Sequence, residues 1–296
     1  MKQVTILLIV YIVILVVVVI CYHKFSTRGY ARRVLSDITP CPFGKVKYFP
    51  VETIGDDTHA KGLVCYSLYG NYKKYAPTLY KQLEDIQIEL PDWTARVYTP
   101  IDVDSHVVDN ITSRGGVVIK MNGGQSQQEA EAPGAPQIGI KGHEGAVWRF
   151  LGAMQTKPFI CLDADDVLYN DIAGKIKKWL KSRKTFFIFK PWEILLPMAA
   201  GRWGGRGIKT KAGLRPPIPE MLDIINEYCE FWFGFDEALL KNRIARIVNR
   251  HGVYKTIYWP INELIVFAII ALIIAGVITL ATARRLDSEI QVCRAE

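Results

Sequence analysis

Short apolar runs alternate with amphipathic stretches from residue 63 onward. Residues 63–68 form a short apolar run that ends at Gly70 and predicts a strand. Residues 75–90 carry Leu79, Leu83 and Ile86 at helical spacing. Arg96-Val97-Tyr98 predicts a second strand, Val107, Val108 and Ile111 a helix, and Val117-Val118-Ile119 a third strand. Residues 122–143 are rich in Gly, Gln, Ala and Pro and read as a loop. A helix over 144–154 follows, then a strand at 158–162, a helix to about Leu180 and a strand at 186–189. Strands alternating with helices predict an α/β fold, a mostly parallel sheet flanked by helices.

Two longer runs differ in kind. Residues 4–21 and 264–281 contain no charged side chain, and each is long enough to cross a bilayer as a helix. They predict an N-terminal and a C-terminal transmembrane helix, the first retained because no small-residue cleavage site follows it. The expected organisation is then an anchor at 4–21, a basic connector at 22–61, a folded domain at 62–260, a second span at 264–281 and a tail at 282–296. The net charge of +8 is concentrated beside these runs, in Lys24, Arg28, Arg32 and Arg33 and in Arg246, Arg250 and Lys255. That distribution favours an integral membrane protein with its central domain in the cytosol and membrane lipid as a partner, the alternative being a Golgi-type orientation with the body in the lumen and Asn110-Ile111-Thr112 as a glycosylation acceptor. Basic charge with aromatics could also serve nucleic acid, but no recognition motif is present and no nucleic-acid partner is expected. The six cysteines have neither C-x-x-C nor zinc spacing, and read as reduced thiols.

The chemistry-bearing pattern is Leu162-Asp163-Ala164-Asp165, where an apolar run stops at a D-x-D pair. Side chains two apart on a strand point the same way, so Asp163 and Asp165 can converge on one hard divalent cation. Ligands collect at the carboxyl ends of strands in parallel sheets, which is where this pair falls. Asp102-Val103-Asp104 has the same spacing and serves as an internal control. A second candidate is the glycine-rich basic stretch 201–211, in which Trp203, Gly204, Arg206 and Lys209 could hold a phosphorylated ligand and pack a sugar or base. Its spacing is not that of a Walker loop, and the chain has no H-E-x-x-H, G-x-S-x-G or G-x-G-x-x-G.

Several segments taken in order resemble a family. Tyr66-Ser67-Leu68-Tyr69-Gly70, Leu90-Pro91-Asp92-Trp93, Trp148-Arg149-Phe150-Leu151 before the D-x-D, Pro197 with Gly201, Trp203 and Gly204, and Gly234-Phe235-Asp236-Glu237 are similar to segments of D-x-D glycosyltransferase-like proteins of bacteria and large DNA viruses. The resemblance covers roughly residues 63–258. It implies a GT-A-type fold, a nucleotide-sugar donor, a glycan, lipid or protein acceptor, Mn²⁺ or Mg²⁺ held by Asp163 and Asp165, and Asp236 as acceptor contact or base. The expected activity is a membrane-anchored, metal-dependent glycosyltransferase. Leu162 stands where the family usually has Arg, and Glu237 where it has Gln. Such departures favour a second reading, an inactive glycosyltransferase-like structural membrane protein, for example in a virion. A peripheral nucleotide-binding module is a third.

Overall fold

The computed structural model describes residues 38–41, 48–122, 143–166, 170–190, 198, 201–228, 231 and 234–257. Arg32–Ile257 form one compact unit. Its centre is an eight-stranded sheet of order β1-β4-β3-β2-β5-β7-β6-β10. The strands are β1 (Pro50–Ile54), β2 (Gly62–Ser67), β3 (Trp93–Pro100), β4 (Val117–Met121), β5 (Phe159–Leu162), β6 (Phe186–Lys190), β7 (Arg202–Gly205) and β10 (Val253–Ile257). β8 (Ile208–Thr210) and β9 (Gly213–Arg215) make a separate hairpin.

β2 runs parallel to both β3 and β5, β3 parallel to β4, and β6 parallel to β10. β1 and β7 run antiparallel to their neighbours. Every residue of β2 and of β5 is buried, as expected of strands covered on both faces. Cys65 pairs with Cys161 across these two strands, and both are free thiols.

The helices connect the strands in the expected rhythm: α1 (Tyr72–Glu89), α2 (Ser105–Thr112), α3 (Gly145–Trp148) and α4 (Asn170–Lys181). α3 continues as a 3₁₀ helix over Arg149–Met154. α5 (Met221–Asn226), α6 (Phe235–Leu239) and α7 (Ala245–Val248) follow, with a π-helical stretch, Leu240–Ile244, between the last two. α1 begins abruptly because Gly70 takes a positive φ of 69° and Asn71 caps the first turn, its side chain accepting from the Lys74 amide at 3.1 Å. Tyr72, Ala76, Leu79, Leu83 and Ile86 then turn one apolar face to the sheet.

From β2 the chain steps outward through α1, β3, α2 and β4. It then crosses back to place β5 on the other side of β2. The gap between the carboxyl ends of β2 and β5 is therefore a topological switch point, where neighbouring connections leave in opposite directions.

The fold-class and localisation expectations need correction. A membrane-integral chain with an N-terminal and a C-terminal transmembrane helix was expected, but no helix among the described residues is long and apolar enough to cross a membrane. The longest described helix, α1, has 18 residues, yet Lys73, Lys74, Lys81, Glu84, Asp85 and Glu89 make it amphipathic. The apolar stretches 4–21 and 264–281 lie outside the described residues. What stands is a mixed α/β unit built on an eight-stranded, mostly parallel sheet.

Three smaller differences have local causes. β1 pairs with β4 within the stretch read as a connector, with Pro50 at its start and four of its five residues exposed, as suits a sheet edge. β7 arises from the stretch read as a glycine-rich loop. A Cβ on Gly204 would overlap the Phe159 carbonyl, and one on Gly205 would crowd Phe159 and Phe186, so the glycines let β7 enter between β5 and β6. Cys41 is disulfide-bonded, so the reduced-thiol reading holds for Cys65 and Cys161 but not there.

Candidate functional site at the β2–β5 switch point

Asp163 is the first residue beyond β5, and its carboxylate does not stand alone. Arg149 Nη1 lies 2.7 Å from Asp163 Oδ1, and Arg149 Nη2 donates to Asp236 Oδ2 at 2.8 Å. One guanidinium thus bridges two carboxylates that are distant in sequence. Side-chain exposure is graded across the bridge: 5% for Arg149, 13% for Asp236 and 44% for Asp163.

The backbone of Arg149 is itself pinned to both flanking strands. Its amide donates to Ser67 Oγ at the end of β2 at 3.0 Å, and its carbonyl accepts from Cys161 Sγ on β5 at 3.3 Å. Arg149 Nε has no hydrogen-bond partner among the described residues. Burial alone would favour the neutral guanidine, but Asp163 and Asp236 outweigh it and hold Arg149 firmly charged. Asp236 opens α6, where its Oδ1 accepts from the Glu237 amide at 3.1 Å. Burial pushes the Asp236 carboxyl above its usual range; Arg149 pulls it back and Asp163 pushes it up again. Tyr69, just past β2, is raised in the same way, first by burial and then by Asp236.

The turn carrying the D-x-D is held from below. Gln82, on the apolar face of α1, donates through Nε2 to the Asp163 carbonyl at 3.2 Å and the Ala164 carbonyl at 2.9 Å. Asp166 takes both Nε and Nη2 of Arg202, each at 2.6 Å, which ties the turn to the start of β7. Gly201 packs so closely on the turn that a Cβ there would overlap the Asp163 carboxylate. Asp165 is exposed. Lys74, in the first turn of α1, lies 3.2 Å from the Tyr75 hydroxyl, and its ammonium is favoured first by that contact and to a smaller extent by Asp165.

Asp163, Asp165 and Asp236 thus gather at one edge, and the other sequence candidates do not join them. β7 runs antiparallel to β5, so Arg202 lies opposite Leu162 at the site, whereas Gly205 lies opposite Phe159 at the far end. Arg206 and Lys209 are carried beyond that far end. Arg206 caps α4 by donating to the Leu180 carbonyl at 3.1 Å and to the Ser182 carbonyl, with its guanidinium over Trp179. Lys209 is exposed on β8. Trp203 is fully buried, its ring edge-to-face with Phe150 and Phe159, each at 5.4 Å, so neither ring face is open to a sugar or base. Gly204 is a packing glycine. Sequence reasoning assigned no part in the site's chemistry to Arg149, Gln82, Arg202 or Tyr69. The usable signal was polarity out of place: Arg149 is the only charge in residues 145–153, and Gln82 interrupts the apolar face of its helix.

A metal implied by the D-x-D has to be judged against this donor set. Oδ1 of Asp163 is occupied by a guanidinium, Asp236 faces the same guanidinium, and Asp165 is the D-x-D member left exposed. Among the described residues no group of three or more His, Cys, Asp or Glu side chains could hold a metal ion. These residues do not fit a divalent ion chelated by Asp163.

No family model matches the sequence, and no curated protein matches it. Among solved structures the chain is similar to the glucosyl-3-phosphoglycerate synthase of M. tuberculosis, with 13% identity and a TM-score of 0.32. The match covers 70% of this chain and 76% of that one. A likeness of this depth carries no argument about reaction or substrate here.

Proposed function

We propose that this chain binds a nucleotide sugar in the crevice between β2 and β5 and transfers the sugar to an acceptor hydroxyl, as do the D-x-D glycosyltransferases its motifs resemble. The supporting observation is the convergence of Asp163, Arg149, Asp236 and Tyr69 on the sheet's switch point, the position at which open α/β sheets take their ligands.

In glycosyl transfer the acceptor oxygen bonds to the anomeric carbon while the bond from that carbon to the diphosphate oxygen breaks. The nucleoside diphosphate leaves with added negative charge, and the acceptor proton passes to a base. Positive charge for the leaving group is at hand in Lys74 and in the first-turn amides of α1, which open onto the same edge. Both Asp236 oxygens, in contrast, are engaged, one by Arg149 and one by the Glu237 amide. That observation favours a second reading, a nucleotide-sugar-binding domain that does not turn over.

The two readings part in one assay. The full-length protein is mixed with a panel of nucleotide sugars and acceptor sugars, and both binding and nucleoside diphosphate release are followed. Sustained release supports the transferase. Binding without release supports the second reading, and neither binding nor release rejects both.

A further inference from the structure

We propose that Arg149 is the resident cation of this site: its guanidinium takes the position at Asp163 that a divalent ion would need, so Asp163 is a clamp residue here and not a metal ligand. The inference does not depend on glycosyl transfer, because it concerns only what the carboxylate holds.

Three observations carry it. First, both terminal nitrogens of the guanidinium are engaged, with Nη1 at 2.7 Å from Asp163 and Nη2 at 2.8 Å from Asp236, a geometry that charge-assisted pairs adopt when strong. Second, Arg149 cannot swing aside as a surface arginine would. Its side chain is almost fully buried, and its backbone is bonded to Ser67 on one strand and Cys161 on the next. Breaking its contact with Asp163 would leave a buried cation short of partners, with Nε already without one among the described residues. Third, Gly201 packs against the Asp163 carboxylate on the β7 side, with no room there even for a Cβ. A divalent ion at Asp163 would therefore have to displace the guanidinium or lie beside it, and like charges at that separation repel.

The bridge has a role of its own. It ties the turn after β5 to the start of α6 across 87 residues of sequence, between Arg149 and Asp236, and so fixes the opening of the crevice without an exchangeable ion. The remaining member of the D-x-D, Asp165, is exposed and can meet solvent cations only as an ordinary surface carboxylate.

The test uses Mn²⁺ alone on the full-length protein, with free ion read by electron paramagnetic resonance, for the wild type, Asp163→Asn and Arg149→Lys. Asp163→Asn leaves Arg149 paired one-to-one with Asp236, so the variant is expected to fold, and a circular dichroism spectrum checks it. The expected result is that wild type and Asp163→Asn have Mn²⁺ dissociation constants within about twofold of each other, or that neither binds measurably. Arg149→Lys, which keeps the charge but loses the two-pronged bridge, is expected to bind Mn²⁺ more tightly than the wild type because it frees carboxylate oxygen. Mn²⁺ binding that weakens about tenfold or more in Asp163→Asn would overturn the proposal, since Asp163 would then be a ligand. Failure of Arg149→Lys to gain affinity, with its fold intact, would equally count against it.

Discussion

Two D-x-D pairs, 163–165 and 102–104, sit at the carboxyl ends of parallel strands in the same sheet, and they meet different fates. After β3, Asp104 is a helix cap: its Oδ1 accepts from the His106 amide at 2.7 Å and starts α2. After β5, Asp163 faces a crevice and is held by a buried arginine. The spacing is identical, so spacing does not decide. The neighbouring strand does. β3 lies between β2 and β4 within a run of connections that all step one way, whereas β5 and β2 send theirs apart. A carboxylate at the divergence has space before it and can be met by groups from several elements. One inside the run has only the next helix to serve.

The sharpest way to break the comparison is Arg149→Met. It leaves Asp236 buried without its cation, and a stability loss of about 3–5 kcal/mol in urea unfolding is expected. A loss below about 1 kcal/mol would mean that the bridge is not a structural unit. Gln82→Leu comes next. It strips two carbonyls of the 163–165 turn of their donor, for an expected cost of about 1–3 kcal/mol, and Gln82→Glu cannot restore the bonds once its carboxyl is ionised. Indifference to Gln82→Leu would show that the turn stands without α1. At the control pair, Asp104→Ala should cost only about 1 kcal/mol, the ordinary value of a lost cap, and leave ligand binding at the crevice untouched. A binding defect in that variant would erase the distinction between the two pairs.

The smallest expected effect is on pH dependence. The Asp236 carboxyl is raised above its ordinary value of 3.8 in the folded chain, so the native state keeps a proton that the unfolded chain has already lost. The stability from this group is complete below the ordinary value and is lost as pH rises through the raised one. Melting temperature measured across the weakly acidic range should therefore fall with pH more steeply in the wild type than in Asp236→Asn. Parallel curves would contradict the assignment.

Much of the fold could be read along the chain because its strands are short apolar runs and its helices keep a regular apolar face. β2, β5 and α1 all lie where those periodicities put them. β7 was invisible for a physical reason. Its Arg202-Trp203-Gly204-Gly205 reads as loop because glycine is a poor strand former, yet glycine is what the neighbouring aromatic rings require. The same reading hid where the ligand-binding candidates lie: once residues 202–205 form an antiparallel strand, Arg206 and Lys209 are carried to the edge opposite Asp163. Asp163 was legible from its place at a strand end. Its partnership with Arg149 and Asp236 was not, because local periodicity says nothing about groups brought together over such separations.

The two thiols that face each other across β2 and β5 give this molecule a chemical clock. Burial pushes Cys65 up to about 12 and raises Cys161 as well, so at neutral pH neither offers the thiolate that alkylating reagents attack. Their labelling must wait until the segment Arg149–Met154, which lies over both sulfurs, lifts from the sheet. That segment carries Arg149, so the rate of modification at Cys65 and Cys161 times the loosening of the bridge itself, and a bound ligand that holds the crevice should slow it.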